Sequence, residues 1–295
     1  MALDGVVYVN GVIRPAAEAV VPVFDHGFLY GEGVYETLRT YARVPFLFGP
    51  HMDRLRRSAA LMVLPVPYSD DEMGALVAET MAAHDAQVAP LREAYIRILL
   101  TRGVGPLTYN TAATPDPTLV IIIKEFPAPP ERTFTRGITV ALVDVRRNHP
   151  NALNPAIKSN NLLNNALAMQ AALRTGAEEA LMLNQSGHVV ECSQSNFFIV
   201  RDSRLVTAPL ADGLLPGITR TFVMDIARAA GLGVEERSFT PAEVFAADEA
   251  FITGTTREVT PVVRVDERVV GGGTPGPVTQ QLLQAFRAQA ETSVA

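Results

Sequence analysis

Asn154-Pro155-Ala156-Ile157-Lys158-Ser159-Asn160-Asn161-Leu162-Leu163-Asn164-Asn165-Ala166-Leu167-Ala168 is the stretch from which the rest of the chain is read. Lysine occurs only at positions 124 and 158; arginine supplies the rest of the Lys/Arg charge. Arginine serves equally well as a surface cation. It cannot serve where an amine must lose its proton and attack a carbonyl, because the guanidinium stays protonated. Lys158 stands in a mixed apolar and polar stretch at the mouth of a helix. It is therefore a candidate nucleophilic amine, with a leftover surface lysine as the plain alternative.

The 295 residues can bury a full core, as one large domain or two smaller ones. Charged residues at 19% and apolar residues at 48% describe a globular protein rather than a disordered one. A net charge of -6 without a basic run argues against nucleic acid as the main partner. No apolar run is long enough to span a bilayer, and the N-terminus lacks a basic-then-apolar leader. The single Cys192 excludes an intrachain disulfide, which sets a cytoplasmic expectation.

Outward from Lys158, the chain alternates strand and helix signals. Val6–Val9 and Val12–Arg14 flank Asn10-Gly11, a two-residue hairpin turn. Gly27, Gly31 and Gly33 mark a loop leading into a strand from Val34 to Tyr41, with a partner strand expected over Pro45–Phe48. Gly49-Pro50 opens a helix to about Met62, with Met52, Leu55, Ala59 and Met62 on one face. Arg54, Arg56 and Arg57 crowd its early turns, where the dipole disfavours cations; a bound anion would offset that, and a solvated basic face is the bland reading. Ser69-Asp70-Asp71-Glu72 is a capping box for a second helix. Strands are expected at Ala94–Thr101 and Thr118–Glu125 around a long loop, Arg102 to Pro117. The proline-rich Phe126–Arg132 reads as a linker, giving a small domain over 1–125, a linker over 126–134 and a large domain over 135–295.

In the second part, strands are expected at Ile138–Asp144, Ala180–Leu183, Val189–Cys192, Asn196–Val200, Leu205–Thr207 and Ala250–Thr253, and near Val262. Helices are expected from Asn161 to Thr175, from the Leu214–Arg220 stretch to Ala230, after the capping box at Thr240–Glu243, and from Pro277.

A Schiff-base lysine needs an aldehyde, an anion cradle and a carboxylate. Pro216-Gly217-Ile218-Thr219 places a proline and a glycine before a helix N-terminus, whose N–H groups and Thr hydroxyl can hold a phosphate. Gly254-Thr255-Thr256 is a second hydroxyl-rich turn. As structure alone, both are capped turns. Glu191 ends an apolar strand, where a carboxylate is either in water at a loop mouth or buried against a cation such as a protonated pyridine. Cys192 beside it reads as a small buried filler. The five histidines never fall at metal-ligand spacing, and no Walker loop, dinucleotide fingerprint or G-x-S-x-G elbow is present.

Taken together, the chain resembles the class IV, fold type IV, pyridoxal-phosphate aminotransferases. The resemblance rests on Phe24–Glu36, His51-Met52-Asp53-Arg54-Leu55, Ile157-Lys158-Ser159, Glu191–Asn196, Leu215–Arg220 and Thr253–Thr256, in that order along nearly the whole chain. It implies a mixed α+β, two-domain fold of the D-amino-acid aminotransferase type, with a site between a small and a large domain. It further implies pyridoxal 5'-phosphate as cofactor and ping-pong transfer of an amino group to a 2-oxo acid such as 2-oxoglutarate. Lys158 would form the internal aldimine and then move the proton between the substrate α-carbon and cofactor C4′. Glu191 would face the pyridine nitrogen. Arg54, Ile218, Thr219 and Thr255 would take the phosphate, with Gln194 also at the cofactor. Members are usually homodimers whose partner chain completes the site, and the Arg102–Pro117 loop is the candidate for that contribution.

For substrate, Tyr95-Ile96-Arg97 matches the branched-chain pattern, in which Tyr and Arg position the carboxylates; Tyr30 and Tyr35 match its apolar wall, and Thr255, Thr256, Leu107 and Tyr109 are further substrate candidates. Against it, Leu163 stands where many branched-chain enzymes have Tyr, and Thr256 where Ala is common. The wording around Lys158 and Gly33–Glu36 is closer to D-amino-acid aminotransferase, whose Arg-x-His carboxylate trap is replaced here by Leu107-Thr108-Tyr109. Losing a buried charged anchor costs roughly 2–5 kcal/mol of affinity, so L-branched-chain substrates are favoured over D-amino acids. Small (R)-amines, aminodeoxychorismate lyase chemistry and a non-catalytic cofactor-binding role are the other readings.

Overall fold

The Asn10-Gly11 turn forms with both residues at positive φ (43° and 91°), joining β1 (Val6–Val9) to β2 (Val12–Pro15). From that hairpin the computed structural model, which describes residues 4–293, builds a six-stranded antiparallel sheet in the order β2-β1-β6-β5-β3-β4. Here β3 is Gly33–Tyr41, β4 Val44–Pro45, β5 Ala94–Thr101 and β6 Thr118–Glu125. The alternation expected of a half-covered sheet is plain. Val34, Leu38, Ala94, Ile96, Ile98 and Leu100 are fully buried, whereas Tyr35, Tyr95 and Arg97 on the other face are half-buried. Each fully buried aliphatic side chain contributes about 1.5–3 kcal/mol.

The covered face packs against α2 (Phe48–Leu61) and α3 (Asp70–Gln87); α1 (His26–Leu29) is one turn inside the glycine-rich loop. The Ser69–Glu72 capping box closes as expected. The short strand expected over Pro45–Phe48 ends at Pro45, because Leu47 turns left-handed (φ 53°) and starts α2 at Phe48. The arginines therefore lie beyond the first turn of α2, past the reach of the dipole. Carboxylates answer two of them: Arg54 bonds Glu36 and Arg56 bonds Asp70. The solvated-face reading does not describe Arg54, which is buried.

These elements form one compact unit, residues through Pro127, together with the returning segment Ile157–Asn161; the second unit is Ala128–Ala156 and Leu162–Thr292. The Lys158 segment thus belongs with the first unit. Arg132 begins α4 (Arg132–Thr135), whose Phe134 is buried, so the proline-rich run ends in a helix.

The second unit is a nine-stranded mixed sheet of β7 (Ile138–Leu142), β8 (Glu179–Leu183), β9 (Val189–Cys192), β10 (Asn196–Arg201), β11 (Arg204–Thr207), β12 (Gly233–Glu236), β13 (Glu249–Gly254), β14 (Glu258–Val265) and β15 (Arg268–Val269). Its order, β12-β11-β10-β13-β14-β7-β8-β9, closes on itself where Glu191 of β9 pairs with Asn196 of β10. Helices α5 (Leu163–Arg174), α6 (Ile218–Ala229), α7 (Pro241–Phe245) and α8 (Pro277–Thr292) complete it. Strands β8, β9, β10 and β13 are buried along nearly their whole length around Phe197, Ile199, Ile252 and Phe239. Strand β12 carries no apolar run, and the sequence reading misses it; its parallel pairing with β11 supplies the order. The mixed α+β class expected from sequence is borne out. Among the described residues no helix is long and apolar enough to cross a membrane.

Candidate active site

Lys158 is fixed through its backbone. Its N–H donates to Ser58 Oγ of α2 at 3.1 Å, and its carbonyl accepts from the Tyr35 N–H at 2.9 Å. Asn160 N–H donates to the Gly33 carbonyl at 2.8 Å, so the segment runs as a short added strand beside β3. Gly33 permits this approach: a Cβ there would lie 2.5 Å from the Asn160 side chain and 3.0 Å from the Leu100 carbonyl. With the main chain held on both sides, the Lys158 side chain is left for chemistry. Its Nζ stands 4.6 Å from the centre of the Tyr35 ring, and the Arg97 guanidinium stands 4.0 Å from the same ring. Sequence reading put Lys158, Tyr35 and Arg97 in the site, and the fold gathers them on one aromatic side chain. Tyr95 lies two residues along β5 from Arg97, near Lys124.

Arg54 is buried, and both its Nε and Nη2 donate to Glu36, at 2.8 and 2.7 Å; His51 Nδ1 lies 2.7 Å from the same carboxylate. Burial pushes Glu36 up, but the Arg54 charge and hydrogen bonds, with those of His51, bring it down to about 2. Burial holds the His51 imidazole below its ordinary value despite Glu36, with Arg54 and Lys158 pushing the same way. Glu36 and Ser58 were missed as supporting residues. The signal for Glu36 was legible: it occupies the core-facing phase of β3 between Val34 and Leu38, where a carboxylate requires a partner.

Tyr30 packs edge-on to His26 and tilts against Tyr109, with centroids 4.9 and 5.0 Å apart. Leu107 and Tyr109 are exposed, at 69% and 82%. Their loop is pinned at its base by Gly105 N–H to the Phe24 carbonyl and by His26 to the Pro106 carbonyl.

In the second unit Glu191 is buried at the point where the sheet closes. Its Oε1 accepts from Arg147 Nε at 2.7 Å, and its Oε2 from Asn196 Nδ2 and the Leu215 N–H, each at 3.1 Å. Asn196 Nδ2 also donates to the Leu215 carbonyl. The carboxylate is thereby tied to the loop that feeds α6. Arg147 was missed because it lies 44 residues from Glu191; Asn196 is only five residues on, inside the quoted Glu191–Asn196 stretch, and was given no role there. Burial, with the nearby Glu179 carboxylate, keeps the Cys192 thiol well above its usual range, which fits the filler role.

Helix α6 begins at Ile218 with Gly217 as its cap, and among the described residues no side-chain cap bonds its first N–H groups. Gly217 is sterically required, since a Cβ would stand 1.9 Å from Asn196 Oδ1. Thr219 lies in the first turn. One strand over, Thr253 Oγ1 is buried and meets no hydrogen-bonding partner among the described residues. Thr255 and Thr256 form the turn between β13 and β14, half-buried, while Gln194 is exposed in the turn between β9 and β10. An uncapped helix start, a glycine that admits no side chain and an unsatisfied hydroxyl fit a phosphorylated ligand. A buried carboxylate anchored from behind fits its ring nitrogen. Lys158 and Arg54 in the first unit, and Glu191, Ile218, Thr219 and Thr255 in the second, are the candidates for holding pyridoxal phosphate.

The model of the class IV amino-transferase family matches residues 33–265. The branched-chain-amino-acid aminotransferase of Pseudomonas aeruginosa is 34% identical over 288 residues, 96% of this chain and 92% of its own. The D-alanine aminotransferase of Listeria monocytogenes is 36% identical over 284 residues, 95% and 94% of the two chains. The T.th. branched-chain amino acid aminotransferase, solved with pyridoxamine 5'-phosphate, superposes with a TM-score of 0.91 at 30% identity, covering 99% of this chain and 96% of that one. Full-length similarity of sequence and of fold makes this chain a member of the class IV aminotransferase family.

Proposed function

We propose that the protein is a pyridoxal-phosphate aminotransferase that moves the amino group of an L-branched-chain amino acid to a 2-oxo acid such as 2-oxoglutarate. The observation that carries the substrate reading is the Tyr35 ring, which has the Lys158 amine at 4.6 Å and the Arg97 guanidinium at 4.0 Å. A base for the α-carbon and a cation for a carboxylate share one apolar wall. The cofactor supplies the electron sink. Lys158 binds it and carries the proton at the substrate α-carbon. Glu191, held by Arg147 and Asn196, keeps the ring nitrogen protonated. The first N–H groups of α6 and the Thr219 and Thr255 hydroxyls hold the phosphate, together with Arg54, whose guanidinium plane Glu36 sets. Tyr30 and Tyr35 wall the side-chain pocket, and Tyr95 and Arg97 orient carboxylates. The D-alanine enzyme's 36% identity supports D-amino-acid transfer as the second reading.

The visible spectrum of the cofactor-loaded protein separates these readings. L-Leucine is expected to bleach the lysine-bound cofactor's colour and release the corresponding 2-oxo acid, and D-alanine to leave it unchanged. Bleaching by D-alanine alone overturns the stereochemical assignment, and response to neither overturns the aminotransferase reading of this site.

We further propose a cytoplasmic homodimer. Val23, Phe24, Phe28, Leu107 and Tyr109 of the first unit are 53–82% exposed, and their segments are hydrogen-bonded together through Phe24 and Gly105. A contiguous apolar surface of this kind suits a second copy of the chain. Phe28→Asp is expected to shift the dimer mass measured by light scattering to that of a monomer; an unchanged mass removes this surface from the interface.

A further inference from the structure

Lys124, the second of the two lysines, has no task in the site as described so far. It lies near the end of β6, directly opposite Tyr95 of β5, and its Nζ stands 5.0 Å from the centre of that ring. The strand registers place its surroundings. Tyr35 opposes Leu99, Thr37 opposes Arg97, and Arg97 opposes Ile122. Tyr35, Arg97, Tyr95 and Lys124 therefore share the sheet face turned away from α2 and α3, and all four are half-buried. From Lys158 the order along this face is Tyr35, Arg97, then the Tyr95–Lys124 pair. Lys124 is thus the diagonal neighbour of Arg97. Such neighbours have Cβ atoms about 7–8 Å apart, a gap that two long side chains close easily.

Neither cation has an acid to answer it. Among the described residues Arg97 and Lys124 make no hydrogen bond or ion pair; each meets only a ring face, Tyr35 for Arg97 and Tyr95 for Lys124. The neighbouring positions on this face are Thr37, Leu99, Val120, Ile122 and Val7, none of them a carboxylate. The buried arginines elsewhere are treated differently: Arg54, Arg102 and Arg147 each pair with a glutamate. Two half-buried like charges side by side repel, and partial desolvation adds to the cost. An aromatic face offsets part of it. A bound anion offsets more.

We propose that Lys124 joins Arg97 in binding the distal carboxylate of a dicarboxylic 2-oxo acid, and so sets the acceptor specificity of the site. The proposal rests on the aminotransferase function above, in which Arg97 orients a carboxylate; Lys124 supplies the second charge. Lys124 lies beyond Arg97 as counted from Lys158, on the side of the substrate's far end. One pocket must take both an aliphatic side chain and an acidic one. With the aliphatic substrate the two cations rest on the Tyr35 and Tyr95 rings and leave the wall apolar. With the dicarboxylate they swing onto its distal oxygens, and ammonium and guanidinium both donate charge-assisted hydrogen bonds.

The test measures acceptor KM values of the cofactor-loaded protein with L-leucine as donor. The acceptors are 2-oxoglutarate and 3-methyl-2-oxobutanoate, which has no distal carboxylate. Lys124→Gln is expected to raise KM for 2-oxoglutarate about tenfold with little change in kcat, while KM for 3-methyl-2-oxobutanoate moves less than about twofold. A merely structural role would move both alike. Lys124→Arg, which keeps the charge, should recover most of the discrimination. Titration calorimetry with glutarate, which has no amino or oxo group to react, should show a comparable loss of affinity in Lys124→Gln. An unchanged KM ratio or unchanged glutarate affinity in Lys124→Gln, or a Lys124→Arg no better than Lys124→Gln, overturns the role of Lys124. A native protein that turns over L-leucine with neither acceptor overturns instead the function on which the proposal rests, and glutarate binding then still decides Lys124.

Discussion

Glu36→Gln lowers the stability of the first unit by about 3–5 kcal/mol, the usual cost of removing one partner from a buried ion pair. Glu36 has no solvent exposure, and its two oxygens meet Arg54 and His51 at 2.7–2.8 Å. Glutamine keeps the shape but withdraws the charge that faces a buried guanidinium. The acid dependence of the native protein has the same source. The carboxyl falls from 4.5 to about 2 on folding. At roughly 1.4 kcal/mol per unit that is about 3 kcal/mol. Because the folded value is the lower one, this contribution is complete above pH 4.5 and fades as pH falls toward 2. His51 works in the same direction. Its folded value also lies below the ordinary 6.5, so acid favours the unfolded chain once the pH drops below that point. Hydrogen exchange at the Ile96 and Ile98 amides of β5 reads this unit locally. In Glu36→Gln these amides should exchange faster at about pH 7, and their protection should depend less on pH in the acid range where the native carboxyl titrates. Native-like protection with the native acid profile would show that Arg54 does not need this carboxylate.

What could be read in advance follows from what is local. Asn10-Gly11, the Ser69–Glu72 box and the alternation in Ala94–Thr101 are decided by a few neighbouring residues, and each forms where expected. The Lys158 motif, the Gly217 turn and Glu191 were equally visible as residue types. Their supports were not. Ser58 lies 100 residues from Lys158, and Arg147 lies 44 from Glu191, so only the folded sheets place them together. Lys158 itself shows the limit most clearly. It follows the proline-rich run, and a linear division assigns it to the second part; strand pairing with Gly33–Tyr35 returns it to the first unit. Backbone hydrogen bonding to a distant edge leaves no periodic signal of its own.

Lys158→Arg is expected to abolish transamination, by roughly 10⁴-fold or more, while leaving the fold intact. The main-chain bonds that fix the segment, to Ser58 Oγ and from the Tyr35 N–H, do not involve the side chain, so they survive the substitution. Arginine also preserves a cation beside the Tyr35 ring, where Lys158 Nζ stands at 4.6 Å. What it lacks is an amine able to give up and regain a proton near neutral pH. The variant therefore separates two roles that alanine would remove together. If Lys158 acted only as a positive charge on that aromatic wall, arginine would retain most of the rate. If it is the proton carrier at the substrate α-carbon, arginine should be as inactive as alanine. Added methylamine should then restore part of the rate to Lys158→Ala but none to Lys158→Arg, whose guanidinium fills the space the small amine must enter. Single-turnover formation of the 2-oxo acid from L-leucine measures both variants, and the near-native melting temperatures expected of them exclude misfolding as the cause. Retention by Lys158→Arg of more than about a tenth of the native rate would remove the lysine from the proton-transfer step.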